Sequence, residues 1–410
     1  YASKPYDEII RRLVHSRGMY CSPYEIVISS PTAISLNVFT TSVLPLNITL
    51  SEKIETAQPF PVLILCDIWK PIAMTIGPIE NISGIPLGIL GTHLGFLEAL
   101  VPDDNGMLPR NTDGEFTIAA GARELIELSP VKIDLIQISS FGSTNPDEKD
   151  ALIAAVRDLG LEPQLVMMVG GVNPMNPDDE DEALAQLMVN LGAALRNNIA
   201  QVNSTSVETW MEGTPPSSEE EFEARVAQNI KLHLRAYEEA GLADSCIENW
   251  NIEFLRPGEF QNFTSLAKLR PILTGLNEKI GRPFFKALID AAHCGDSGLS
   301  ISENELIVAS MGEADEIGPF HCSVPTTRGC LSSDDGWVGA LLTANATTGK
   351  LPSAFVELFR HDDPVLEPLR KLDPGHGIDT TLGRSYNEVM VDGLIDTVRR
   401  LNNLKNRGIL

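Results

Sequence analysis

Short apolar runs alternate with longer amphipathic segments from about residue 130 to the end of the chain. This alternation is typical of βα units that feed a parallel sheet. Seven strands are predicted, at Ile133–Ser139, Gln164–Val169, Ala200–Ser204, Ile247–Leu255, Phe284–Asp290, Gly318–Cys322 and Ser353–Leu358. An eighth strand, which a closed barrel needs, is predicted at Pro86–Thr92.

Helices are predicted in the intervals between these strands. Asn145 precedes Pro146 as an N-cap, and Ser217 with Glu220 has the spacing of a capping box. The predicted helices are Ile118–Leu128, Pro146–Leu159, Asp178–Arg196, Ser217–Ala240, Thr264–Ile280, Ser302–Met311 and Tyr386–Leu404.

The order of elements predicts an α/β protein with a (β/α)8 TIM barrel and an N-terminal extension. We expect the barrel to occupy residues 85–410 and the extension residues 1–84. The extension is rich in Ile, Val, Thr and Pro and shows no readable periodicity or catalytic pattern. A subdomain, a cap on the barrel and an oligomer arm are all compatible with it.

The acidic balance of the chain limits its partners. With 56 Asp and Glu against 31 Lys and Arg, the formal net charge is -25, and such a field repels nucleic acids and anionic membranes. No apolar stretch approaches the roughly 20 residues that span a bilayer. We therefore expect no nucleic-acid or membrane partner and a cytoplasmic protein, although a leader before Tyr1 stays open.

Four chemically capable side chains lie at the ends of the last four predicted strands. They are Glu253, Asp290, His321 and Glu357. A buried charge at a strand end is costly unless it is satisfied, and the ends of neighbouring parallel strands converge at one rim of a barrel. One divalent metal ion is the economical explanation. Three carboxylates with one imidazole suit Mn²⁺, Mg²⁺ or Co²⁺, with Zn²⁺ as an alternative.

The segment 247–362 resembles the sugar isomerase/epimerase branch of the xylose isomerase-like barrels, most closely the D-tagatose 3-epimerase and D-psicose epimerase group. In that family a glutamate, an aspartate, a histidine and a glutamate on strands five to eight bind the metal, in the order seen here. The resemblance also implies that three further residues contact substrate hydroxyls, namely Glu259, His293 and Arg328. The chain departs from the family at Pro257-Gly258, and residues 1–84 have no counterpart.

The resemblance implies a metal-dependent isomerase or epimerase of a ketose or related keto-sugar, often assembled as a homodimer or homotetramer. A cation chelated by adjacent carbonyl and hydroxyl oxygens would acidify the C–H bond between them and stabilise an enediolate. Glu253 and Glu357 would then serve as the acid/base pair on opposite faces of the sugar. No Gly-rich phosphate loop is apparent, which favours an unphosphorylated substrate.

Three other functions are alternatives to this prediction. A lyase or dehydratase acting on a keto-sugar or inosose would use the same metal and the same proton abstraction, so the ligand set does not separate the two. A binding protein built on a decayed barrel would have lost ligands, yet all four are present. Endonuclease IV has additional histidines on its early strands, where this chain carries Ser139, Ser140 and Gly170. The sequence therefore disfavours a DNA-repair function of that kind.

Overall fold

The structure is a computed structural model that describes residues 77–91, 94, 97–324, 336–360, 362–372 and 384–410, together with three strands nearer the N-terminus. The chain forms two units, Tyr1–Met74 and Thr75–Leu410. The described strands of the first unit are β1 (Tyr24–Ser30), β2 (Ala33–Val38) and β3 (Leu46–Thr49). They form an antiparallel sheet in the order β1-β2-β3.

Eight parallel strands of the second unit close into a barrel in the order β10-β11-β4-β5-β6-β7-β8-β9. The strands are β4 (Leu87–Leu90), β5 (Leu135–Ser140), β6 (Glu162–Met167), β7 (Gln201–Ser204), β8 (Asn249–Glu253), β9 (Phe285–Asp290), β10 (Ile317–Cys322) and β11 (Ala354–Val356). The predicted (β/α)8 fold is therefore confirmed, and β4 is the eighth strand that the sequence analysis placed at Pro86–Thr92.

The helices occupy the connections between the strands. They are α1 (Thr117–Leu128), α2 (Pro146–Asp158), α3 (Glu180–Arg196), α4 (Glu219–Glu239), α5 (Leu266–Ile280), α6 (Ala291–Asp296), α7 (Ile301–Glu313), α8 (Trp337–Thr347), α9 (Glu367–Leu372) and α10 (Tyr386–Asn406). Alternate strand residues such as Ile136 and Ile138 join the apolar core. Gln137 and Ser139, on the other face of β5, are buried as well. Parallel strands buried on both faces read as nearly continuous apolar runs.

Helix caps match the sequence in one case and differ in another. Asn145 caps α2 by accepting a hydrogen bond from Asp147 N. The capping-box prediction of Ser217 with Glu220 is wrong by one residue, because Ser218 is the N-cap of α4 and accepts from Glu221 N. Ser217 instead donates through its N–H and its hydroxyl to Glu221 Oε2. A run of Ser and Glu offers several equivalent registers, and the geometry of the turn selects one.

Helix α8 was not predicted. Its sequence, WVGALLTANAT, is apolar around most of its circumference and contains Gly, Thr and Asn, which are weak helix formers. A helix of this kind has no polar face to reveal a period of 3.6 residues, so packing decides its conformation.

None of the helices in the described part of the chain has the length and apolar character that a membrane span requires.

Candidate active site

Four strand ends bring Glu253, Asp290, His321 and Glu357 together. Glu253 and Asp290 are the last residues of β8 and β9, His321 is the fifth of the six residues of β10, and Glu357 follows β11 directly. Each offers one ligand atom that lies within 4.8 Å of the others. All four are buried, and Asp290 has no exposed area. The prediction that these four side chains converge is therefore confirmed.

The imidazole of His321 is central to this group. Its Nδ1 atom lies 2.7 Å from Glu357 Oε2, 3.6 Å from Glu253 Oε1 and 3.8 Å from Asp290 Oδ2. Its other ring nitrogen, Nε2, lies 2.9 Å from Gln137 Oε1. Nδ1 is thus the ring nitrogen that faces the three carboxylates.

Asp290 is held at both oxygens. Its Oδ1 accepts from His293 N at 2.7 Å as the N-cap of α6, and its Oδ2 accepts from Ser323 Oγ at 2.8 Å. Orienting contacts of this kind are typical around metal-binding carboxylates. Asp290 and His293, three residues apart, are therefore joined by a helix cap, and the cap orients the carboxylate.

Glu253, His321 and Glu357 line a pocket at the C-terminal ends of the barrel strands, where TIM barrels have their active sites, and Asp290 is fully buried beside them. His293 also lines this pocket. Its Nδ1 accepts from Arg256 N at 3.1 Å, so Nε2 carries the proton, and Nε2 lies 3.5 Å from Glu253 Oε1. The other pocket residues are Leu90, Gln137, Ser139, Val166, Met168, Thr205, Trp210, Leu255, Glu259, Phe359 and Leu366.

Glu259 reaches the pocket from the loop after β8. Its Oε1 accepts from Trp210 Nε1 at 3.1 Å, and its carbonyl accepts from Met211 N at 2.8 Å. The preceding Gly258 has a φ of 102°, a left-handed value that favours glycine. The Pro257-Gly258 departure from the family pattern therefore forms a tight turn that presents Glu259 to the pocket.

Seven site residues were singled out in the sequence. Six of them are described, and the structure brings these six together. The seventh, Arg328, lies outside the described residues. Sequence analysis did not find Trp210, Gln137 or Ser323. The signal available for Gln137 was a buried amide within an apolar strand, whereas nothing local marks Trp210 or Ser323 as neighbours of Glu259 and Asp290.

A buried carboxylate supports the loop that carries Glu259. Glu208 has no exposed area and accepts hydrogen bonds from the backbone N–H groups of Gln261, Asn262 and Phe263. It also accepts from Asn262 Nδ2 at 2.8 Å. A carboxylate with several N–H donors is satisfied without a cation, so Glu208 fixes the loop rather than serving as a ligand.

The donor chemistry of the four convergent residues fits a hard or borderline divalent ion. Three carboxylates supply oxygens and one imidazole supplies nitrogen, a set suited to Mn²⁺, Mg²⁺ or Co²⁺. The nearby thiols do not compete, because burial raises the pKa of Cys322 to about 12 and raises that of Cys294 well above its usual value. The buried group could therefore hold one metal ion through oxygen and nitrogen.

Comparison of the coordinates with solved structures relates this barrel to sugar epimerases. An L-ribulose 3-epimerase aligns with a TM-score of 0.57 at 14% identity, over 79% of this chain and 97% of its own. A Methylomonas sp. D-allulose 3-epimerase, solved with D-allulose, aligns with a TM-score of 0.57 at 13% identity, over 79% and 98%. A D-psicose 3-epimerase of Clostridium cellulolyticum, solved with D-tagatose, aligns with a TM-score of 0.56 at 13% identity, over 77% and 99%.

The chain has the fold of the sugar 3-epimerases. The barrel fold that the resemblance of residues 247–362 implies is thus confirmed. No family model matches the sequence, and no curated protein matches it.

Proposed function

We propose that the protein is a divalent-metal-dependent isomerase or epimerase of a ketose or related keto-sugar. The observation that carries this proposal is the buried group of Glu253, Asp290, His321 and Glu357, whose ligand atoms lie within 4.8 Å of one another. Three of the four line a pocket. The shared fold with 3-epimerases of known sugars supports the same substrate class.

The four residues would hold Mn²⁺, Mg²⁺ or Co²⁺, with Zn²⁺ as a further candidate. When bound, the ion supplies Lewis-acid polarisation of a carbonyl oxygen, which acidifies the neighbouring C–H bond. Their burial strengthens every charge interaction in the site, because little water is present to screen it.

Glu253 and Glu357 form the proposed acid/base pair. They extend from β8 and from the end of β11, which are separated in the closed barrel by β9 and β10. Two carboxylates on opposite sides of a bound sugar can act on opposite faces of one carbon. One removes the proton next to the carbonyl, leaving an enediolate, and the other returns a proton to the other face. The result is epimerisation at that carbon.

Three polar side chains are proposed to orient the sugar hydroxyls. The Nε2 atom of His293 lies 3.5 Å from Glu253 Oε1, and both His293 and Glu259 line the pocket. Arg328, which follows β10 in the sequence, would add a cationic donor. Apolar pocket residues such as Trp210 and Phe359 can pack against the C–H face of a sugar ring or chain.

A panel of unphosphorylated ketoses tests the proposal. The protein, loaded with Mn²⁺ and incubated with each ketose in D₂O, is expected to give an epimer or aldose that carries solvent deuterium at the reacting carbon. An α,β-unsaturated product would replace this proposal with a lyase. Absence of turnover and of deuterium exchange across the panel, with metal bound, would contradict proton abstraction at this site.

A further inference from the structure

Four buried side-chain amides line the barrel interior next to the proposed metal ligands. They belong to Gln137 on β5, Gln164 on β6, Asn203 on β7 and Asn251 on β8, and none is more than 5% exposed. A buried amide is costly unless it is hydrogen-bonded. The four amides lie on consecutive strands and hydrogen-bond to one another.

The amides are joined by hydrogen bonds that converge on Gln164. Asn251 Nδ2 donates to Asn203 Oδ1 at 2.9 Å, and Asn203 Nδ2 donates to Gln164 Oε1 at 3.0 Å. Gln137 Nε2 donates to the same Gln164 oxygen at 3.4 Å. Because Gln137 directs its NH₂ group toward Gln164, its carbonyl oxygen faces the other way.

That carbonyl oxygen meets His321 across the barrel. Gln137 Oε1 lies 2.9 Å from His321 Nε2, and an amide oxygen can only accept a hydrogen bond. His321 Nε2 must therefore carry a proton. Nδ1, the nitrogen that faces Glu253, Asp290 and Glu357, is then the one that would bind a metal, in place of the proton that it shares with Glu357 Oε2 at 2.7 Å.

We propose that Gln137 is a positioning residue that fixes the tautomer and ring orientation of His321, and that Gln164, which Asn203 also contacts, orients Gln137. The side chain of Gln137 has no exposed area and its carbonyl oxygen contacts His321 Nε2, so we assign its role to His321. This inference rests on the proposed metal site. A purely structural amide would also be buried and hydrogen-bonded, but its loss would leave the affinity of His321 for metal unchanged.

Manganese affinity provides the first test. Titration calorimetry with MnCl₂ compares wild type, Gln137→Met, which keeps the side-chain length without an acceptor, and Asn345→Leu. Asn345 is also fully buried, but it donates only within α8, to Leu341 O at 2.8 Å. We expect Gln137→Met to weaken Mn²⁺ binding about 10- to 100-fold and Asn345→Leu to bind like wild type.

The tautomer provides the second test. In the Zn²⁺-loaded protein with ¹⁵N-labelled histidine, His321→Gln identifies the His321 signals among the seven histidines. Wild type is expected to show a protonated Nε2 that exchanges slowly with solvent, and Gln137→Met to lose that protection. Gln164→Met keeps Gln137 but removes the acceptor that orients it, so it should show a smaller loss of both affinity and protection. This variant carries the test if Gln137→Met does not fold.

The outcomes separate the two proposals. Wild type that binds no Mn²⁺ would overturn the metal site and with it the proposed function. Wild type that binds Mn²⁺, with Gln137→Met equally tight and its Nε2 proton equally protected, would overturn only the positioning role. Gln164→Met that matches wild type in both measurements would overturn the role of Gln164.

Discussion

The indole N–H of Trp210 donates to Glu259 Oε1 at 3.1 Å, joining the loop after β7 to the loop after β8. Both residues line the pocket. Met211 N adds a second link by donating to the Glu259 carbonyl at 2.8 Å. The carboxylate proposed to bind substrate is therefore oriented by a residue 49 positions away in the sequence.

Trp210→Phe is expected to impair substrate binding more than chemistry. A hydrogen bond to a charged group contributes about 1.5 to 3 kcal/mol, so the KM for the native ketose should rise roughly tenfold or more. The Mn²⁺ affinity should not change, because the hydrogen bond of Trp210 is to Glu259, which is not one of the four proposed ligands. Steady-state kinetics and calorimetry measure both quantities. Trp337→Phe on α8 is the matched control, and a KM equal to that of this control would contradict the role of Trp210.

Gly258→Ala tests the turn that presents Glu259. Its φ of 102° is unfavourable for a side chain, which costs about 1 to 3 kcal/mol at such positions. We expect a lower free energy of unfolding in urea and a raised KM. Gly192→Ala in the interior of α3 is the control, because alanine favours a helix. An added Cβ at Gly192 would also meet no atom closer than Arg196 Nη1, at 3.5 Å. Equal effects of the two substitutions would argue against the turn.

Glu357→Gln is expected to lower kcat about 10²- to 10⁴-fold, because the amide cannot transfer the proton. Metal binding should weaken without being lost, since three ligands remain. Glu253→Gln should behave similarly, and the exposed Glu313→Gln should retain wild-type kinetics. Turnover and Mn²⁺ titration measure the effects. Full activity of Glu357→Gln on the native sugar would rule out the two-base role.

Divalent metal should stabilise the barrel, because three buried carboxylates lie close together. Binding to the folded state alone adds about 2.7 kcal/mol when the free ion is at 100 times its Kd. Thermal unfolding with MnCl₂ and after EDTA treatment measures this difference. Asp290→Asn keeps the cap of α6, since an amide oxygen can accept from His293 N, but it should reduce the response to metal. An unchanged melting temperature of wild type with MnCl₂ would count against the metal site.

The stability of the barrel should fall on acidification between about pH 6.5 and pH 4, in part through His233. Burial is the main cause that lowers the pKa of His233 from 6.5 to about 4 in the folded protein. The unfolded state therefore binds the proton first, so stability is complete above pH 6.5 and falls as the pH decreases toward 4. The loss is on the order of 3 kcal/mol.

Urea unfolding as a function of pH, followed by tryptophan fluorescence, measures the His233 contribution. Trp250 is a suitable reporter because its ring centroid lies 5.2 Å from that of His233. His233→Gln should flatten the profile in this window. A variant whose profile keeps the slope of the wild type would show that other groups account for the dependence.

The sequence by itself determined the barrel and the four convergent side chains. Strand and helix periods are local, and the carboxyl ends of parallel strands must meet at one rim, so Glu253, Asp290, His321 and Glu357 could be placed before the structure was known. Local sequence could not place α8, because an apolar helix lacks an amphipathic period. It also missed the register of the α4 cap, which depends on the geometry of one turn.

Tertiary structure alone decided how the site is held. The contact of Gln137 with His321 joins residues 184 positions apart across the barrel, and that of Ser323 with Asp290 joins neighbouring strand ends. Trp210 reaches Glu259 only because two loops meet over the pocket. Such contacts follow from the closure of the sheet and the path of the loops, and neither is encoded in the spacing of residues along one strand.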